Sequence, residues 1–146
     1  MVNLTDFETY WNGMTTKVEA LKKVFYVTEE ADMKDFVSDI RTDEQPFMVV
    51  ILPSAKSRGV PDAVLENNLC LLYILSKEDS FSKTTFELQK DVQPVMEAVK
   101  AQMIEDMEGC GMMRRLDIGS MQTDPEKRIM AKATGWSLSF EVEDSL

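Results

Sequence analysis

Residues Ser82–Glu108 read SKTTFELQKDVQPVMEAVKAQMIEDME. Apolar side chains recur there at Phe86, Leu88, Val92, Val95, Met96, Val99, Met103, Ile104 and Met107, mostly three or four positions apart. That spacing lines up one face of an α-helix, so the stretch is expected to be the longest helix of the chain. Ser82 or Thr84 can cap its start, and Gly109 and Gly111 stop it. Pro94 removes one backbone hydrogen bond from the interior. Because the apolar phase continues across it, from Leu88 and Val92 to Val95 and Val99, a kink is expected rather than a break. Met96, Met103, Met107, Met112 and Met113 look like a methionine-lined groove, but the flexible thioether suits core filling better.

Strand-like pairs flank this helix on both sides. Phe47–Leu52 (FMVVIL) and Leu69–Ser76 (LCLLYILS) are short, continuously apolar and bounded by breakers, as strands buried on at least one face are. Between them, Pro53–Asn68 holds Pro53, Gly59, Pro61, Asn67 and Asn68, and is expected to be a long projecting hairpin loop, either a contact surface or a plain flexible connection, since loops of this length in compact domains are usually functional or mobile. Its RGVPD segment is no phosphate loop, having one glycine and no glycine-lysine-serine or -threonine end. On the far side, Leu116–Gln122 alternates weakly, TDPEKR (Thr123–Arg128) reads as a turn, and Trp136, Leu138, Phe140 and Val142 alternate with Ser137, Ser139, Glu141 and Glu143. That last pattern is a strand with one face in the core and one in water. Gly135 ahead of it suggests a bulge or bend.

The chain begins with a helix. Thr5 and Glu8 fit a capping box, and Leu4, Phe7, Trp11, Met14, Val18, Leu21 and Phe25 keep a 3-4 alternation. A subunit-contact helix and a helix lying on its own sheet both fit; Gly13 and the short repeat favour the second. Val24–Val27 is either the last turn of that helix or a short strand, with β-branched and aromatic residues favouring the strand. Thr28 then caps a second helix at Glu29–Arg41, whose apolar stripe is Met33, Phe36, Val37 and Ile40, and TDEQP ends it before Pro46. The order predicts an α+β domain over 1–146: a mainly antiparallel sheet of two hairpins, packed against a long central helix and an N-terminal helix.

Composition excludes several functions. The 146 residues are 44% hydrophobic, enough for one core. No apolar run approaches the ~20 residues of a membrane helix, and the acidic N-terminus does not resemble a secretion signal, so a cytoplasmic setting and no membrane partner are expected. With 26 acidic against 16 basic residues the net charge is −10, and the basic clusters Lys17/Lys22/Lys23, Lys56/Arg58, Arg114/Arg115 and Lys127/Arg128 are small. Sequence-specific nucleic-acid binding is disfavoured by that balance. Cys70 lies in an apolar strand and reads as a buried small hydrophobe, whereas Cys110 between two glycines reads as exposed.

The chemistry is read by exclusion. With no histidine, the chain lacks the usual neutral-pH base and the commonest metal ligand. Two distant cysteines build no structural zinc site, and nucleophile-elbow, dinucleotide and EF-hand spacings are absent. Glu105, Asp106 and Glu108 cluster at the end of the long helix, but they point around different faces and read as a solvated surface. No catalytic, cofactor or metal site is expected. An assembly or binding protein fits this sequence better than an enzyme.

The strands PFMVVILP and LCLLYILSK, the extended segment between them, the central helix and the closing GWSLSFEVE give a layout that resembles the small phage tail-terminator and tail-completion proteins. The likeness rests on layout over most of the chain, and the segment from Val24 through Arg41 departs from it. The resemblance implies a non-catalytic α+β subunit that forms a homo-oligomeric ring and joins other tail or neck proteins, in the bacterial cytoplasm or the virion. Contacts are then expected from the extended segment, at Lys56, Arg58, Val60 and Asp62, and from Arg114, Arg115, Lys127 and Arg128. The other reading that the residues leave open is a small α+β ligand-binding or carboxylate-based enzymatic domain.

Overall fold

The computed structural model describes residues 1–29, 32, 37, 39–78, 83–129 and 132–145, the side chains of 128 and 145 excepted. Helix α1 spans Leu4–Lys17 and α2 spans Thr85–Glu105. The strands are β1 (Lys23–Val27), β2 (Phe47–Val60), β3 (Ala63–Lys77), β4 (Leu116–Ile129) and β5 (Ala133–Ser145). They form one five-stranded sheet in the order β1-β2-β3-β5-β4. All neighbours pair antiparallel except β1 with β2, which are parallel. The α+β class and both hairpins follow the sequence reading.

The apolar runs of β2 and β3 are explained by burial on both faces of the sheet. On one face Met48, Val50, Cys70, Leu72, Ile74, Leu138, Phe140 and Val142 pack with residues of α1 and α2. On the other, Phe47, Val49, Tyr73 and Leu75 pack with Val27, Val37, Ile40 and Ala133. Because successive strand residues point to opposite faces, a strand sandwiched in this way cannot alternate apolar with polar. The second helix expected at Glu29–Arg41 lies for most of its length outside the described residues; Val37 and Ile40 are buried on the face opposite α1 and α2.

Helix α1 lies on its own sheet. Phe7, Trp11 and Met14 are buried, and the Trp11 ring sits 6.1 Å from that of Phe140 on β5. Its cap is Asn3, whose side chain accepts from the amides of Thr5 and Asp6 at 2.9 and 3.2 Å, so the expected Thr5/Glu8 box does not form. The helix also ends at Lys17, and Leu4, which the apolar stripe included, is 51% exposed. Val24–Val27 belongs to a strand.

In α2 the capping box is real: Thr84 Oγ1 accepts from the Glu87 amide, and the Glu87 carboxylate accepts from the Thr84 amide. Ser82 lies outside the described residues. The helix runs through Pro94, which faces solvent, where water can bond the carbonyl left without its amide. Leu88, Val92, Val95, Met96, Val99 and Met103 are buried, whereas Phe86 and Ile104, which the stripe also included, are exposed. Met113 is buried as well, and Met107 and Met112 pack partly against the same core, so these methionines fill the interior.

The β4–β5 hairpin differs from expectation. The segment Thr123–Arg128, read as a turn, is strand: β4 continues to Ile129, with Pro125 opposite Trp136. An edge strand tolerates proline because no neighbour needs its missing N–H, and β4 is the outermost strand. The alternation through Leu116 and Ile118 also fails, since the register shifts between Asp117 and Gln122, leaving Ile118 50% exposed. Gly135 pairs regularly with Leu75 on one side, and on the other it pairs with Glu126 at the start of the register shift between Glu126 and Ile129, the irregularity its position suggests. A Cβ there would lie 2.1 Å from the Ile74 carbonyl oxygen, so only glycine permits the approach of β5 to β3.

Candidate functional site

The segment Pro53–Asn68 is not a loop. Strand β2 continues to Val60, β3 begins at Ala63, and the two stay paired from Ser54↔Leu69 to Val60↔Ala63 around Pro61 and Asp62. Pro53 does not end the strand, because it falls where the register shifts between Ile51 and Ser54, and where β1 has already ended opposite Ile51. At a bulge on an open edge a proline costs no ladder bond. Near the tip, Gly59 has φ 108°, and a Cβ there would lie 2.2 Å from the Ala63 carbonyl oxygen. That position requires glycine.

The result is a stiff tongue. A strand of 14 residues spans about 45 Å, and its second half, Ser54–Val60, is exposed throughout, with Pro61, Asp62 and Ala63. Behind it β3 is backed by β5, paired out to Leu65↔Ser145, so the tongue is three-stranded for most of its length. Asn68, which is fully buried, fixes its root: its side chain donates to the Val142 carbonyl oxygen at 3.1 Å and accepts from the Val2 amide at 3.1 Å.

Of the residues singled out from the sequence, Lys56, Arg58, Val60 and Asp62 all lie on this tongue and are exposed. Arg114 and Arg115 lie in the short 3-10 helix before β4. The structure brings the two groups together at Glu143 on β5: the Arg58 guanidinium pairs with one carboxylate oxygen, and Arg115 Nη1 stands 4.0 Å from the other. Lys56 and Arg114 have no ion-pair partner among the described residues. Lys127 is exposed near the opposite end of β4 and does not join this group, and the Arg128 side chain lies outside the described residues.

Glu143 was read only as a solvent-facing residue of the last strand. The alternation in the sequence marks only its face, and the register does the rest. It places Glu141 and Glu143 on one face, the face of Lys56 and Arg58 once Lys56 pairs with Asn67 and Asn67 with Glu143. Asn67 also donates to Glu141 at 3.2 Å. Beside this group, an open groove of about 720 Å³ runs between the start of α1 and the segment before β4, lined by Val2, Asn3, Tyr10, Cys110, Met112 and Arg114, among others.

Of the acids at the end of α2, Glu105 and Glu108 are exposed, as expected, but Asp106 is a tie between helices. Asp106 accepts from the Tyr10 hydroxyl at 3.0 Å, from Lys17 Nζ at 2.8 Å and from Gln102 at 2.9 Å. Burial raises the Asp106 pKa, but the bonds from Lys17, Gln102 and Tyr10 outweigh it and hold the carboxyl below the ordinary aspartate range. Burial, then the neighbouring Asp106 charge, pushes the Tyr10 phenol well above its ordinary value. Among the described residues no group of three or more acids or cysteines could hold a metal ion. Cys70 is buried, with burial pushing its thiol up to about 12, and Cys110 is exposed. No helix among the described residues is long and apolar enough to cross a membrane.

Compared with known proteins, the chain matches no family model and no curated sequence.

Proposed function

We propose that this chain is a structural assembly subunit of a phage or prophage tail, of the tail-terminator or tail-completion kind. In this reading it packs with copies of itself into a ring and joins other tail or neck proteins, without catalysing a reaction and without a cofactor. The observation that carries the reading is the tongue: its Ser54–Ala63 segment is exposed throughout, yet it is held stiff by β3 and β5. Ordering an exposed strand pair costs conformational entropy that its own burial does not offset. A partner surface supplies the missing contacts.

Other features support it. Val60 at the tip is 62% exposed and Leu69 at the root 51% exposed, two separate apolar side chains that a neighbour would cover. The net charge of −10 suits a ring whose lumen lets nucleic acid pass without sticking. The setting is then the bacterial cytoplasm or the virion. The test is Val60→Asp, examined by electron microscopy beside the unchanged chain. Rings from the unchanged chain that disappear in a folded Val60→Asp variant support the reading. Rings of unchanged number and shape in that variant remove the tongue from the interface.

A further inference from the structure

The assembly reading leaves open which surface receives the tongue, and the sheet's two edges answer it. Beyond Ile51, β2 has no neighbour on its outer side among the described residues, so Ser54–Val60 presents a free backbone edge. That edge (SAKSRGV) carries Lys56 and Arg58 and no acid, in a chain of net charge −10. Pairing two such edges about a twofold axis centred on Ser57 would set Lys56 directly opposite Arg58. Like charges directly opposite are destabilising, which disfavours a symmetric edge-to-edge dimer and leaves a head-to-tail contact.

The other edge of the sheet is β4, and its segment Gln122–Glu126 carries Asp124 and Glu126, two positions apart, with no base. The register places these acids on the same sheet face as Lys56 and Arg58. Lys56 pairs with Asn67, and Asp124 pairs with Ser137, which pairs with Tyr73; Asn67 and Tyr73 are an even number of residues apart on β3, whose pairing with β5 is unbroken. Because β2, β3, β5 and β4 are successively antiparallel, β2 and β4 run in opposite directions within one chain. An identical copy continuing the sheet therefore brings its β4 antiparallel to β2.

We propose that, in the assembly, the stretch Lys56–Val60 of the free β2 edge pairs antiparallel with Gln122–Glu126 on β4 of a second copy, setting Lys56 against Glu126 and Arg58 against Asp124. The proposal rests on the assembly reading and names its counter-surface. Pro125 leaves one position of the joint ladder without a donor, so the two charge pairs, rather than the backbone, set the register. Lys56 is without an in-chain ion pair among the described residues. Arg58, held by Glu143, keeps other guanidinium N–H groups for a second carboxylate.

The test uses the full chain. Lys56→Glu and Glu126→Lys should each weaken self-association at least tenfold by sedimentation velocity, and the two combined should restore it to within threefold. Independently, a Cys110→Ser chain carrying Lys56→Cys with Glu126→Cys should give a ladder of disulfide-linked oligomers on oxidation, and neither cysteine alone should. Self-association that neither charge variant alters, with no ladder, overturns the edge pairing and leaves the assembly reading standing. Linked dimers from Lys56→Cys alone overturn it in favour of a symmetric contact. A monomer at all concentrations, with no ladder, overturns both.

Discussion

The Tyr10 hydroxyl donates a 3.0 Å hydrogen bond to the Asp106 carboxylate, joining residues 96 positions apart. With Lys17 and Gln102 bound to the same carboxylate, it ties α1 to the end of α2. Asp106→Ala leaves these donors without their charged acceptor, and should cost about 1–3 kcal/mol of stability at neutral pH in urea unfolding. Since the folded-state pKa is lowered, this stabilisation is present above the ordinary aspartate value of about 4 and lost as pH falls through the folded value. The gap between the unchanged chain and Asp106→Ala should therefore narrow at acidic pH. A gap that widened on acidification would show that Asp106 is not the stabilising acceptor.

Two glycines should respond with opposite sign. Gly135→Ala drives a Cβ into the Ile74 carbonyl and should destabilise by about 1–3 kcal/mol or more. Gly13→Ala, inside α1 with nothing within 4 Å of the new Cβ, should stabilise by about 0.5–1 kcal/mol. Thermal unfolding of the two variants reads the contrast directly.

The two tryptophans should separate as well. Trp11 is fully buried, and Trp11→Ala should cost about 3–5 kcal/mol. Trp136 is only half-buried and donates from its indole nitrogen to the Gln89 carbonyl oxygen at 2.9 Å. Trp136→Phe keeps most of the packing and should cost about 1 kcal/mol, the worth of that hydrogen bond. Equal losses in chemical unfolding would contradict the burial difference.

Thiol titration distinguishes the cysteines. Cys110 is exposed and should react at once with a disulfide reagent in the folded protein. Cys70 is buried, and its thiol is pushed up to about 12, so it should react only after unfolding. Prompt labelling of both would mean that β3 opens readily at Cys70.

The fold was legible where one physical signal dominated. Phe7, Trp11 and Met14 mark the buried face of α1, and Leu138, Phe140 and Val142 that of β5, because a single stripe meets a single core. Reading failed where tertiary position overrules local chemistry. Pro53 and Pro125 look like strand breakers, yet both sit on open edges where no ladder bond depends on them, so β2 and β4 run far past the turns expected there. Lys56, Arg58, Val60 and Asp62 are exposed as their sequence context implies, but on paired strands rather than a loop. Glu143 was missed because convergence of Arg58 and Arg115 on one carboxylate depends on register, which residue spacing within a single strand does not fix.

Solution mass tests the assembly claim most directly. Light scattering of the unchanged chain across a wide concentration range should show mass rising from monomer to a closed, ring-sized oligomer, and Lys56→Glu should shift that rise to higher concentration without loss of fold. A strict monomer at every concentration would contradict the account.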